Sequence, residues 1–142
     1  MAVRMELSRI LIRELNDYQL IELRESLPDS DDEDEGRTFP IVIGLPEAQA
    51  IERRLKRIPI SRPQTHDLLA NVVRELGASL ESITITDLSD HTFFATLDVR
   101  KDDGELIHID SRPSDAIALG IASDAPIFVE EHVLDSALSE EL

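Results

Sequence analysis

The chain has 142 residues, 42% of them hydrophobic and 31% charged, which suits one compact soluble domain. The absence of cysteine excludes disulfides, thiolate metal sites and cysteine nucleophiles. With no tryptophan and a formal charge of −16, the surface repels phosphate by default, so nucleic acid is disfavoured as a partner unless a local basic patch or a bridging metal receives it. No run approaches the ~20 apolar residues of a membrane span, and the N-terminus is interrupted by charge every few residues. The expected location is therefore cytoplasmic, without membrane contact.

In chain order, Met5 to Leu15 reads as a strand, Asn16-Asp17 as a turn and Tyr18 to Leu27 as the hairpin partner. Residues 28–37 form an acidic, flexible loop, with six acids packed into Asp29 to Glu35 and nothing apolar to bury. Phe39 to Leu45 is a continuous apolar run that suggests a strand buried on both faces. Pro46 opens a helix over 46–58, where its missing N–H is harmless. A second helix over 64–76 carries Leu68, Leu69, Val72, Val73 and Leu76 as the stripe expected to face the core, with Gly77 behind it.

The second half alternates over Ser82–Leu88, turns at Ser89-Asp90-His91 and returns over Thr92–Val99. Asp102-Asp103-Gly104 turns into a third strand, Glu105–Asp110. Pro113 starts a helix over 113–123, Pro126–Val129 is a last short strand, and Glu131–Leu138 is a final helical turn or two. Each half thus reads as three strands and a Pro-initiated helix, an echo that raises a duplicated βββα unit. The fold class is α+β, with largely antiparallel strands and helices packed on them, in a single domain over 1–138 followed by a tail at 139–142. An exposed strand edge in such a sheet invites a homo-oligomer.

Three constellations carry chemistry. Residues 53–66 hold five cations (Arg53, Arg54, Lys56, Arg57, Arg62) and no acid, the natural landing place for a phosphate in so acidic a chain; the plain alternative is a solvated helix face. At the start of the second helix, Arg62-Pro63-Gln64-Thr65-His66-Asp67 combines free helix N–H groups with an imidazole of near-neutral pKa. There Thr65 either binds substrate or is the N-cap, and Asp67 either serves catalysis or complements the dipole; neither plain reading explains His66. At the third helix, Asp110-Ser111-Arg112-Pro113-Ser114-Asp115 is either a capped helix start or a site. In the latter, Asp110 and Asp115 ligate Mg²⁺ or Mn²⁺, Arg112 forks onto phosphate, and Asp87 and Asp90 add carboxylates. No Walker loop, H-E-x-x-H, G-x-S-x-G or dinucleotide fingerprint is present.

The strings F-P-I-V-I-G-L-P-E-A-Q-A-I, R-P-Q-T-H-D-L-L, I-T-I-T-D-L-S-D-H-T-F-F-A-T-L, D-S-R-P-S-D-A-I-A-L-G and A-P-I-F-V-E-E-H-V-L, in that order, resemble the bifunctional nuclease domain family over about Met5 to Leu134. The resemblance implies hydrolysis of phosphodiester bonds in DNA and/or RNA. Its matching positions are Arg62, Thr65, His66, Asp67, Asp87, Asp90, Asp110, Arg112, Ser114 and Asp115. Assigned to roles, His66, Asp67 and Asp115 are catalytic, Arg62, Thr65, Arg112 and Ser114 bind substrate, and Asp87, Asp90, Asp110 and Asp115 hold Mg²⁺ or Mn²⁺. The competing reading is a non-enzymatic module that binds a partner or small anion, its Asp–Arg pairs tying the two halves together. Site carboxylates lining an open cleft favour the enzyme. Asp67, Asp110 and Asp115 buried against backbone amides favour the module.

Overall fold

The computed structural model describes residues 1–13, 18–26 and 36–140. The expected Asn16-Asp17 turn and most of the acidic loop lie outside the described residues. The chain runs β1 (Ala2–Leu11), β2 (Gln19–Glu25), β3 (Thr38–Ile43), α1 (Leu45–Leu55), α2 (Thr65–Glu75), β4 (Ser79–Ser89), β5 (Thr92–Arg100), β6 (Leu106–Ser111), α3 (Pro113–Ala122), β7 (Ile127–Glu130) and α4 (Glu131–Glu140). The class is α+β, as the patterning predicts, and each half contributes a three-strand antiparallel meander followed by a helix.

The seven strands form one sheet in the order β3-β2-β1-β7-β4-β5-β6. The late strand β7 joins the halves, antiparallel to β1 and parallel to β4. Every other neighbour pair is antiparallel. Phe39 on edge strand β3 stacks on Phe93 of β5 with centroids 5.6 Å apart, although four strands separate them in the order, so the sheet must curl around its core.

The curl wraps α3. Its sequence P-S-D-A-I-A-L-G-I-A is apolar on all sides, the pattern of a helix with no solvent face, and Ala116, Ile117, Ala118 and Leu119 are buried. A Cβ at Gly120 would stand 3.5 Å from the Ile83 side chain, so the small residue lets α3 lie close on β4. Helices α1 and α2 pack against α3 in turn.

The strand over Phe39–Ile43 departs from the expectation of burial on both faces. Phe39, Ile41 and Ile43 are buried, whereas Pro40 and Val42 are exposed. An edge strand covered by helices on one side buries alternate residues only, and the edge is also where a proline is tolerated. Helix α1 stops at Leu55 rather than near 58 because Arg57 takes φ 53°, the left-handed conformation that ends a helix. The final helix is longer than the expected turn or two and continues through Glu140, into the stretch expected as tail. It is held by Arg37, whose guanidinium donates to Glu25 (2.8 Å) and Glu131 (2.6 Å).

On the face of the sheet opposite α3, Asp98 is a buried carboxylate. It accepts from Ser82 Oγ (2.7 Å), Thr84 Oγ1 (2.7 Å) and Thr96 Oγ1 (2.9 Å), and it pairs with His108 Nδ1 (2.7 Å). Burial pushes its pKa up, but the hydrogen bonds from Thr84, His108, Ser82 and Thr96 outweigh that and hold it below the ordinary value. A carboxyl whose pKa is lower folded than unfolded stabilises the fold above the unfolded value and loses that contribution as pH falls through the folded value. Asp98→Asn should therefore cost about 1–3 kcal/mol at neutral pH. Urea melts of both proteins across pH should show the gap narrowing below about pH 4; a gap that stays constant or widens in acid would contradict this account.

Candidate functional site

Three helix N-termini meet at one end of the fold. Pro46 and Pro113 each occupy the first turn of their helix, so α1 and α3 begin abruptly after β3 and β6. Glu47 lies in the first turn of α1, Arg112 is the N-cap residue of α3, and Asp115 is in the first turn of α3. His66 is the second residue of α2.

Their side chains form one chain of contacts. Arg112 Nη2 donates to Glu47 Oε1 at 2.8 Å, and Arg112 Nε donates to Asp115 Oδ2 at 2.9 Å. The other oxygen of Asp115, Oδ1, pairs with His66 Nε2 at 3.1 Å. Hydrogen bonding to Asp115 first, then its charge and the bond to Glu47, raise the Arg112 pKa, so the guanidinium is a fixed cation. Glu47 is almost wholly buried, and Arg112 is 69% exposed, so the network closes over Glu47 and opens to solvent at the arginine. A Cβ at Gly44 would come within 2.6 Å of Glu47 Oε2, so any larger residue there would make the carboxylate shift.

Beside the network lies a cleft of about 680 Å³. Arg53, Arg54 and Arg57 line it from α1 and the turn that follows, and Gln64, His66 and Asp67 line it from the start of α2. The first constellation of the sequence and the second therefore face one space. Arg54 is 4.0 Å from Asp124, a contact too long and too exposed to neutralise it.

The other expected site residues fall out as follows. Gln64, not Thr65, is the N-cap residue of α2; Thr65 is the first helical residue and is exposed. Asp67 Oδ2 accepts from the backbone N–H of Gln64 at 3.1 Å, which gives it the plain capping role while it still borders the cleft. Ser114, assigned to substrate binding, is buried in the first turn of α3, whose N-cap residue is Arg112. Arg62 is exposed in the link before α2 and does not line the cleft.

The four carboxylates expected to hold a metal do not gather. Asp115 sits between His66 and Arg112, whereas Asp110 is exposed on the opposite sheet face, in register with Thr96. Asp87 accepts from the Leu88 backbone N–H and lies 3.8 Å from His132. Asp90 and His91, both at positive φ, form the two-residue turn of the β4–β5 hairpin, the conformation that selects aspartate there. Among the described residues no three His, Asp or Glu side chains converge as a metal-holding group. Both oxygens of Asp115 already serve cationic or N–H partners, so this donor set does not fit a dedicated Mg²⁺ or Mn²⁺ site. Sequence reasoning missed Glu47. The repeat of G-L-P-E-A against S-R-P-S-D-A marks it, because both place an acid just after the helix-opening proline.

The sequence profile of the bifunctional nuclease domain matches residues 30–141, which takes in all three helix N-termini and the cleft. The chain belongs to the bifunctional nuclease domain family. It is similar to an uncharacterized protein of Mycobacterium tuberculosis, matched in two strains, with 40% identity over 101 residues, 71% of this chain and 59% of that protein. A more distant relative is bifunctional nuclease 2 of Arabidopsis thaliana, 24% identical over 100 residues, 69% of this chain and 30% of that one. The matched region thus spans about three-fifths of the mycobacterial proteins.

The donor set makes a direct prediction. Titration of Mg²⁺ or Mn²⁺ into the substrate-free protein, followed by calorimetry, should give no saturable site below millimolar concentration. A tight stoichiometric site lost in Asp115→Asn would contradict the reading of Asp115 as fully engaged.

Proposed function

We propose that this chain cleaves phosphodiester bonds of nucleic acid in the arginine-lined cleft, with His66 exchanging the proton. The observation that carries the reading is that His66, held by Asp115, borders the same cleft as Arg53, Arg54 and Arg57. Membership of a nuclease family and this geometry support the same chemistry.

The arginines neutralise the substrate phosphate and the charge that builds on its oxygens as the new P–O bond forms. With Nε2 directed at Asp115, His66 keeps Nδ1 for the substrate. That atom takes the proton of the attacking hydroxyl or water, and Asp115 stabilises the imidazolium that results. The proton then passes to the leaving oxygen. Arg112 orients Asp115 rather than binding phosphate, because two of its nitrogens are already committed to Glu47 and Asp115. No step in this scheme runs through a protein-held metal. The deep acidity of the chain outside residues 53–66 makes binding salt-sensitive and confines it to the cleft.

The alternative, an anion-binding module without catalysis, draws on Arg112, which joins the two halves of the chain as a purely structural pair would. Purified protein should cleave single-stranded RNA or DNA, and His66→Ala should lose about 10²–10⁴-fold in rate. Arg53→Ala/Arg57→Ala should mainly weaken substrate binding. All variants are purified identically to expose contaminating nuclease. Wild-type-like cleavage by His66→Ala would refute the assignment, and anion binding without cleavage in any preparation would establish the module.

A further inference from the structure

The sheet ends in β3 on one side and β6 on the other, and the two edges are built differently. The backbone N–H of Glu25 donates to the Arg37 carbonyl, so residues 39, 41 and 43 of β3 bond to β2 while 38, 40 and 42 turn their backbone groups outward. Pro40 therefore falls where an N–H would face the free edge, and that edge lacks the donor. At the other edge the Lys101 N–H donates to the Glu105 carbonyl, and the β5–β6 register runs from Arg100 opposite Leu106 to Ala95 opposite Ser111 without a bulge. The same alternation leaves the N–H and C=O groups of Leu106, His108 and Asp110 pointing away from β5. No proline, lysine or bulge blunts β6, whose one strand neighbour among the described residues is β5.

The side chains of this edge are also unspent. Asp98 holds His108 Nδ1 at 2.7 Å from the β5 side, which turns Nε2 away from β5, and the imidazole is 59% exposed. Asp110, two residues on and on the same face, is exposed and makes no hydrogen bond or ion pair among the described residues. Ile109, on the opposite face, is 43% exposed.

We propose that β6 pairs with β6 of a second copy of this chain, antiparallel about a twofold axis at Ile109, so that the two sheets become one. With the axis there, His108 of each copy stands opposite Asp110 of the other, and both pairs exchange backbone hydrogen bonds through the groups that β5 leaves free. His108 then donates from both nitrogens, to Asp98 of its own chain and to Asp110 of the other, a cross-strand pair of opposite charge. Ile109 meets its own copy on the other face, which covers an apolar side chain that one chain alone leaves half exposed. The edge is thus its own complement, and that selects a second copy. An axis at His108 would set imidazole against imidazole and Leu106 against Asp110. Pairing β6 with β3 of another copy would miss the donor that Pro40 lacks.

No residue of β6 lines the His66 cleft, so the pairing stands apart from the proposed chemistry. Sedimentation equilibrium of the wild-type chain at high micromolar concentration should give twice the chain mass. Asp110→Pro removes an N–H that β5 does not use, together with the carboxylate. It should weaken association about tenfold or more, with an unchanged circular dichroism spectrum. Because the chain has no cysteine, Ile109→Cys should oxidise to a covalent dimer, since residues opposed in this way have Cα atoms about 4.5 Å apart, within disulfide reach. Ile107→Cys, on the same strand and face, stands opposite Ser111 of the other copy and should not cross-link. The cysteine variants decide the matter even if the proline variant fails to fold. A wild-type chain that is monomeric at that concentration would overturn the proposal. So would a dimer that a folded Asp110→Pro leaves intact, or one that does not cross-link through Ile109→Cys.

Discussion

Arg112 is the side chain on which the meeting of α1 with α3 turns. It stands at the start of α3 and reaches Glu47 at the start of α1 on one side and Asp115 on the other. Glu47 is buried, and a buried carboxylate without a cationic partner is costly, so the arginine cannot be removed without consequence for the helix it touches. The position of Asp115, and through it of His66, follows from that bridge. The candidate site is therefore built from the same contacts that set α1 against α3.

The sheet makes this convergence possible. The strands β3 and β6 lie at opposite edges, yet each delivers its chain directly into a Pro-initiated helix. Only because the sheet curls around α3 do two helix starts from opposite edges come within hydrogen-bonding distance. Three partially positive helix ends are thereby gathered beside the arginines of α1, in a protein whose remaining surface is acidic. A phosphate entering the cleft leaves a repulsive surface for an attractive one, which gives specificity of place without a large basic face.

Much of the fold was legible in the sequence. Alternation marks β4 and β5, and the prolines at 46 and 113 mark the helix starts because their geometry suits only the first turn. What the pattern cannot supply is the partner. A stripe such as Leu68-Leu69-Val72-Leu76 says that one face of α2 is apolar, not which surface covers it, and here most of the stripe faces outward. The apolar run at Phe39–Ile43 likewise does not reveal that its strand is an edge. At the site, His66, Asp115 and Arg112 were visible as residues of the right chemistry, but the contact of His66 with Asp115 spans 49 residues of sequence and depends on the packing of α2 on α3. Glu47 is marked only by the echo of the two proline-opened helix starts, and its pairing with Arg112, 65 residues away, was illegible for the same reason. The aspartates at 87, 90 and 110 had a sufficient cause in strand and turn geometry, and spacing alone did not distinguish that from ligation.

The central claim is that Asp115 fixes His66 with Nε2 engaged and Nδ1 free for proton transfer. Nitrogen NMR of the imidazoles, with His66 identified by comparison with His66→Gln, reads this directly. The account predicts that the singly protonated His66 ring carries its proton on Nε2, and that this preference gives way to a rapidly exchanging mixture of tautomers in Asp115→Asn or Glu47→Gln. A His66 that carries its proton on Nδ1, or that is indifferent to Asp115→Asn, would contradict it.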